Sequence, residues 1–429
     1  MTTLTARAAK LVEQIDALGD EASRIFTYFD ETELMTEADR LDQLADKADQ
    51  LPLHGQLVSI KDLFDQAGKR TTAASRLLAE REPALEDSDV VKRLKAAGAL
   101  IIGRTSMTEF AYSGIGQNPH YGTPGNIFDP TRIPGGSSSG AALSVAHGLC
   151  DIAMGTDTGG SVRLPAAVNG LYGFKPSRQA VSLEGVHPLS NTFDSAGPLS
   201  RTHALAARCF DVLRLTPVDH TLRIPANRPL RLGIPTGGFT NELDSHIQAN
   251  FEFITQRLES AGHQLIPVDM AFANENRAAM IGIVSSEAFE IYQDSLIELE
   301  TMGDPQVLKR IRSSESFSEQ DIFDAHAIRL SSEKQFTVAL ADVDVMLAPT
   351  VAIETPTQSE AIRNFDVINP AVLRNTTMVN LMDGCAMTMP VPIVGNASPA
   401  ALMVVAPNGN DDRVLGVSDQ LRLDLNNSN

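Results

Sequence analysis

Gly135–Ser177 reads GGSSSGAALSVAHGLCDIAMGTDTGGSVRLPAAVNGLYGFKPS. It holds two turns of small residues, Gly135-Gly136-Ser137-Ser138-Ser139-Gly140 and Gly155-Thr156-Asp157-Thr158-Gly159-Gly160-Ser161. Between them the pattern predicts a helix over Ser138–His147, stopped by Gly148, and a short strand over Asp151–Met154 that runs into the second turn. Helix alternating with short apolar strand is the pattern of an α/β protein whose sheet is largely buried.

The alternation continues outward. Gln56–Ile60 is a strand candidate ending at Lys61. Residues 88–98 form a helix with a Ser N-cap and a Gly stop, followed by a strand over Ala99–Gly103. Residues 4–18 and 32–50 read as amphipathic helices, and 111–136 as irregular coil. Further strands are expected at Pro229–Pro235, His263–Val268, Val343–Pro349 and Ala401–Ala406, with a helix over 243–261. Residues 270–340 read as helical and polar, and the tail LRLDLNNSN as a frayed end. No repeat or low-complexity linker interrupts the chain, so one domain over 1–429 is expected.

The 35 basic and 54 acidic residues leave a net charge of −19. A nucleic-acid surface needs a basic face, so that class is disfavoured. Cys150, Cys209 and Cys385 are widely spaced and form no CxxC or Cys/His cluster, which argues against a disulfide framework or a zinc site. The N-terminal segment carries charges where a signal peptide needs an apolar run, and no apolar stretch approaches the roughly 20 residues of a membrane span. A cytoplasmic protein away from membranes is expected.

A serine flanked by glycines presents its hydroxyl beside free backbone N–H groups, the parts needed to attack a carbonyl and hold the oxyanion. Thr158-Gly159-Gly160-Ser161 is the stronger nucleophile site, because two glycines aim several N–H groups at one point. A phosphate loop is the competing reading, but Ser161-Val162-Arg163 lacks the lysine and hydroxyl that such a loop places there. Gly136-Ser137-Ser138-Ser139-Gly140 matches G-x-S-x-G formally. Two prolines precede it where a nucleophile elbow needs a strand. A helix cap is its plainer reading.

Serine needs a base. None of the nine histidines sits in a setting that marks it as one. Lys61 ends an apolar segment, and burial among uncharged hydroxyls would lower its pKa and free the neutral amine. A lysine snorkelling to solvent at a strand end is the alternative.

These residues together resemble the amidase signature family. That family carries a GGSSGG-like turn, a GTDTGGS-[IV]-R-x-P segment some two dozen residues on, and then G-x-K-P. Ser137, Ser161 and Gly173-Phe174-Lys175-Pro176 stand in those places, and Ile60-Lys61-Asp62 stands for the upstream V-K-D. Gly103-Arg104-Thr105, Glu109-Phe110, Asn118-Pro119-His120-Tyr121-Gly122-Thr123-Pro124, Asp194 through Gly197-Pro198, Ala348-Pro349-Thr350, Ala401-Leu402-Met403 and Asp412-Arg413 also match. The match is dense over about 50–200 and thin elsewhere. Ser139 departs from the family's more frequent glycine, and only helix entry is expected to feel it.

The resemblance implies a single large α/β domain, a mixed and mostly buried sheet surrounded by α-helices. It implies hydrolysis of an amide or urea-type C–N bond through a serine acyl-enzyme. Ser161 would be the nucleophile, Lys61 the general base, and Ser137, after a cis peptide, the bridge between them. N–H groups of Thr158, Gly159, Gly160 and Ser161 would form the oxyanion hole. Asp157, Arg163 and Ser138 would support the loops. No metal or cofactor is implied. A homo-oligomer acting on a small-molecule amide is expected, and a small partner subunit is admitted. The variable region 215–340 is expected to shape the substrate pocket. The alternative function is an amidotransferase component that frees ammonia from glutamine for a tRNA-modifying partner.

Overall fold

A strand covered on both faces is buried along its whole length. Leu57–Lys61 is such a strand: all five residues are buried, the lysine included. The computed structural model describes residues 3–222 and 228–427. Eleven strands among them form one sheet. These are β1 (Phe26–Tyr28), β2 (Leu57–Lys61), β3 (Leu100–Thr105), β4 (Ile152–Thr156), β5 (Tyr172–Lys175), β6 (Ala196–Ser200), β7 (Arg231–Thr236), β8 (Gln264–Asp269), β9 (Val345–Pro349), β10 (Gly384–Val391) and β11 (Ala400–Pro407).

Their order is β1-β3-β2-β4-β6-β5-β10-β11-β9-β7-β8. Strand β2 runs parallel to β3 and β4, and β7 parallel to β8 and β9. From β4 through β6, β5, β10 and β11 to β9 every pairing is antiparallel. The sheet is therefore mixed, and helices flank it, as the α/β reading requires.

Side chains alternate across a strand, and here the two faces feed different cores. Val58, Ile60, Ile152 and Met154 enter one hydrophobic cluster; Leu57 and Ala153 enter another. The period of two puts Ser59 and Lys61 on the Leu57 face. Ser59 Oγ lies 2.8 Å from Ser144 Oγ, in the helix Ser139–Ala146. Lys61 thus points toward the start of that same helix. The helix lies close enough to the chain beneath it that a Cβ on Gly140 would overlap Ile25 O and sit 2.7 Å from Ser106 N. Gly140 is a packing requirement.

Several local expectations need correction. Segment 32–50 is a helix over Glu31–Asp42 and a 3-10 turn over Ala45–Gln50. Its buried stripe of Leu34, Ala38 and Leu41 ends there. Asp42 instead accepts hydrogen bonds from Leu4 N (2.7 Å) and Thr5 N (2.9 Å), at the start of the helix Leu4–Leu18. The tail does not fray. Helix Asp411–Asn427 runs to the end of the described chain, with Leu421 and Leu425 buried in the core; residues 428 and 429 lie outside it. Region 215–340 includes 223–227, which also lie outside. Five helices occupy 271–339, and the Ala278–Tyr292 helix buries Met280, Ile283, Val284, Ala288 and Tyr292, so this region is less polar than expected. No helix among the described residues is long and apolar enough to cross a membrane.

Candidate active site

Lys61 is the last residue of β2 and is fully buried. Its Nζ donates to Ser137 Oγ at 2.7 Å and to Thr156 Oγ1 at 3.0 Å. Thr156 ends the neighbouring strand β4, so two parallel strand ends place amine and hydroxyl side by side. Ser137 sits just before the Ser139–Ala146 helix, and the Gly136–Ser137 peptide is cis. A Cβ on Gly136 would lie 2.6 Å from Gly116 N, so only glycine fits there.

The second turn is stitched to the first. Ser138 N donates to Ser161 O at 3.3 Å, and Ser138 Oγ to Thr156 O at 3.4 Å. Beneath the turn, Asp157 accepts from Gly160 N (2.8 Å), Val162 N (3.1 Å), Arg163 Nε (3.0 Å) and Arg163 Nη2 (2.9 Å), with Asn380 Nδ2 at 3.0 Å. Thr376 Oγ1 donates to Gly159 O at 2.7 Å and Thr377 Oγ1 at 3.2 Å. Gly160 has φ 133°, and a Cβ there would overlap Thr376 Oγ1. The glycine is required on both counts.

Electrostatics follow from burial. Desolvation pulls the Lys61 amine from 10.5 down to about 7, against the opposing charges of Asp194 and Asp157. Burial alone would raise the Asp157 carboxyl, but Arg163, through charge and hydrogen bonds, holds it well below the carboxylate range. Burial raises the Asp194 carboxyl, while bonds from Thr158 Oγ1 (2.5 Å), Leu189 N (2.9 Å) and Ser190 N (3.1 Å) oppose that rise.

A cavity of about 250 Å³ opens above the second turn, and Ser161, Thr158 and Gly159 form part of its wall. Among the described residues the Ser161 hydroxyl has no hydrogen-bond partner. The rest of the wall comes largely from the 274–310 region and from Asn369–Thr377.

The structure brings Lys61 and Ser137 into contact and joins Ser161 to Ser138 through the backbone. Gly160 is placed differently from expectation: its N–H is spent on Asp157 Oδ1. The N–H groups of Thr158, Gly159 and Ser161 have no acceptor among the described residues. Asp157 and Arg163 form a fully buried pair away from the cavity wall. Ser139 Oγ is buried without a partner. Of the histidines, His187 bonds Tyr292 Oη at 2.7 Å and is pushed down to about 4 by burial. His147 ends the Ser139–Ala146 helix as its C-cap. Thr156 was missed, although it stands inside the quoted turn. Arg277, Arg310 and Asn369, which line the cavity, carry no local motif that could have marked them. The three cysteines are buried free thiols, and among the described residues no group of three or more His, Cys, Asp or Glu could hold a metal ion.

Comparison with known proteins identifies the family. The family model Amidase matches residues 8–415. The chain is 34% identical over 391 residues to 2-amino-5-chloromuconic acid deaminase of Comamonas testosteroni, covering 88% of this chain and 83% of that protein. It is 32% identical over 420 residues to a subunit of the glutamyl-tRNA(Gln) amidotransferase of Synechococcus sp. (strain RCC307), covering 89% and 86%. A crystal structure of an amidase superposes with a TM-score of 0.89 at 30% identity, over 98% of this chain and 96% of that one. With the family model spanning nearly the whole length and the fold shared throughout, the chain belongs to the amidase family, the hydrolases of amide C–N bonds.

Proposed function

We propose that this protein hydrolyses the amide or urea-type C–N bond of a small molecule through an acyl-enzyme on Ser161, with Ser137 and Lys61 completing a Ser–Ser–Lys relay. One observation carries the reading. A fully buried lysine, its pKa near neutrality, bonds a hydroxyl in the turn stitched to Ser161.

In this mechanism the neutral Lys61 amine takes the Ser137 proton as Ser137 takes that of Ser161. Ser161 Oγ attacks the carbonyl carbon, and the carbonyl electron pair moves to oxygen. The N–H groups of Thr158, Gly159 and Ser161 receive that oxyanion, a set one smaller than the sequence implied. Collapse breaks the C–N bond, and the proton on Lys61 returns through Ser137 to the leaving nitrogen. Water then attacks the ester by the same relay, which releases the acid and restores Ser161. Asp157 and Arg163 hold the loop and touch no substrate.

The test is labelling with a fluorophosphonate together with a screen of aryl amides, aliphatic amides, carbamoyl compounds and glutamine, read as released amine or ammonia. Wild type should label on Ser161 and turn over at least one amide class. Ser161→Ala should do neither. Labelling elsewhere, or none, would remove the acyl-enzyme reading. A second reading follows from the amidotransferase relative: the glutaminase component of such a complex. Release of ammonia from glutamine alone, rising on addition of a tRNA-modifying partner, would favour it.

A further inference from the structure

The chain is strongly acidic, with a net charge of −19. Yet no Asp or Glu lines the cavity that Ser161 opens on, whereas Arg277 and Arg310 both do. Arg277 joins the helices Ala271–Asn276 and Ala278–Tyr292; Arg310 belongs to the helix Pro305–Arg312. Among the described residues, neither guanidinium pairs with a carboxylate. Their Nε atoms are buried and lack a hydrogen-bond partner. The carboxylate whose charge reaches Arg277, Glu242, is itself exposed and lies 3.5 Å from Arg374 instead. Arg310 stacks 4.4 Å over the Tyr112 ring, and Tyr112 lines the cavity too.

A third unmet donor shares this wall. Asn369 Oδ1 accepts from Gly114 N (2.8 Å) and Ser113 Oγ (3.1 Å), which fixes the amide, but its Nδ2 is buried without a partner. The cavity wall therefore holds two half-buried guanidinium groups with no carboxylate partner and one buried amide with an unmet donor, set among apolar side chains such as Met280, Ile281 and Val284. Buried polar groups are normally paired, and buried charges almost always are. Leaving these unmet makes sense if a ligand supplies the acceptors.

Building on the amide-hydrolase reading, we infer that the substrate carries a carboxylate, which Arg277 and Arg310 receive, with Asn369 Nδ2 as a further donor, while Ser161 attacks an amide or carbamoyl carbon of the same molecule. A planar guanidinium matches a carboxylate in two-point geometry. The volume of about 250 Å³ lies below the range of drug-sized pockets. The acid and the scissile bond must therefore belong to one compact molecule, such as the half-amide of a short dicarboxylic acid.

Two measurements decide the matter. The first compares kcat/KM for half-amides of three- to five-carbon dicarboxylic acids with that for the matching neutral diamides. Wild type should prefer the acids by about tenfold to hundredfold, the scale of charge-assisted hydrogen bonds. Arg277→Gln and Arg310→Gln should each shrink that ratio, Arg→Lys should shrink it less, and added salt should shrink it in wild type. The second needs no turnover. Glutarate or succinate should slow fluorophosphonate labelling of Ser161, and the neutral diamides should not. Equal turnover of both series, or labelling indifferent to every carboxylate, would overturn the inference while leaving the hydrolase reading intact. Absent labelling of wild type would remove the hydrolase reading and this inference with it.

Discussion

Raising the pH from 5 to 9 should carry kcat/KM through a single ionisation near 7. In the proposed relay Lys61 is the group responsible, with its amine lowered by burial to about 7 from 10.5. Only the neutral amine accepts the Ser137 proton, so activity is lost as pH falls below 7. At pH 5 about one molecule in a hundred carries the free amine, and each unit of acid costs a factor of about ten. Above pH 8 the profile should be flat. A lysine left at its ordinary value would be neutral in about one molecule in 3,000 at pH 7, and the rate would climb tenfold per unit to pH 10. The assay is release of a chromogenic amine from an uncharged anilide, chosen so that the substrate does not titrate. His187, at about 4, does not change charge in this window. Lys61→Arg, charged throughout, should be inactive at every pH. Stability gives an independent check. Between about 7 and 10.5 the unfolded chain binds the extra proton, so unfolding free energy should rise with pH across that window. A rate still climbing at pH 10, a flat profile from 5 to 9, or near-normal turnover in Lys61→Ala would refute the assignment of the base.

Gly160→Ala should unfold or strongly destabilise the protein, since its Cβ would overlap Thr376 Oγ1 at a φ that disfavours any side chain. Gly159→Ala meets nothing closer than 3.4 Å and should melt near wild type; a thermal scan of the pair separates them. Asp157→Ala leaves the fully buried Arg163 guanidinium uncompensated and should cost about 3–5 kcal/mol in urea unfolding. A loss under about 1 kcal/mol would mean the pair does not brace the loop. The proposed relay passes through amine and hydroxyls alone, so EDTA should leave turnover unchanged, and strong inhibition would contradict it.

The sequence displays some of this and conceals the rest for physical reasons. Strand β2 and the helix Ser139–Ala146 were legible because one is a short, mainly apolar run ending at Lys61 and the other lies between small-residue turns. Strands β5 and β6 were not, because Gly173, Gly197 and Pro198 weaken any strand signal in segments of four and five residues. Strand β10 alternates over Met387-Thr388-Met389-Pro390-Val391, but its methionines and internal proline are weak strand signals. Lys61, Ser137 and Ser161 could be singled out because each stands in a local motif. Arg277, Arg310 and Asn369 could not, since they meet only through packing of helices distant in the chain.

The relay proposed for Lys61 asks more of a lysine than burial, and a second buried lysine in this molecule shows the difference. Lys61 and Lys175 are both fully buried at strand ends, and burial lowers both amines. Lys175 donates to two carbonyl oxygens, Pro176 O at 2.9 Å and Gly384 O at 2.8 Å. Carbonyls only accept, so a deprotonated Lys175 keeps donors for them but gains nothing for its new lone pair. Lys61 donates to two hydroxyls, Ser137 and Thr156. A hydroxyl accepts from an ammonium and donates to an amine with a turn of its O–H bond, so either protonation state of Lys61 is satisfied in place. A free carboxylate beside Lys61 would undo this by pinning the proton. Asp157, one of the two carboxylates whose charge reaches Lys61, is held instead by Arg163. Asp194 is occupied by Thr158 and the Leu189 and Ser190 amides. The fold keeps two acids near the amine and gives each another partner, so Lys61 remains free to exchange its proton with Ser137.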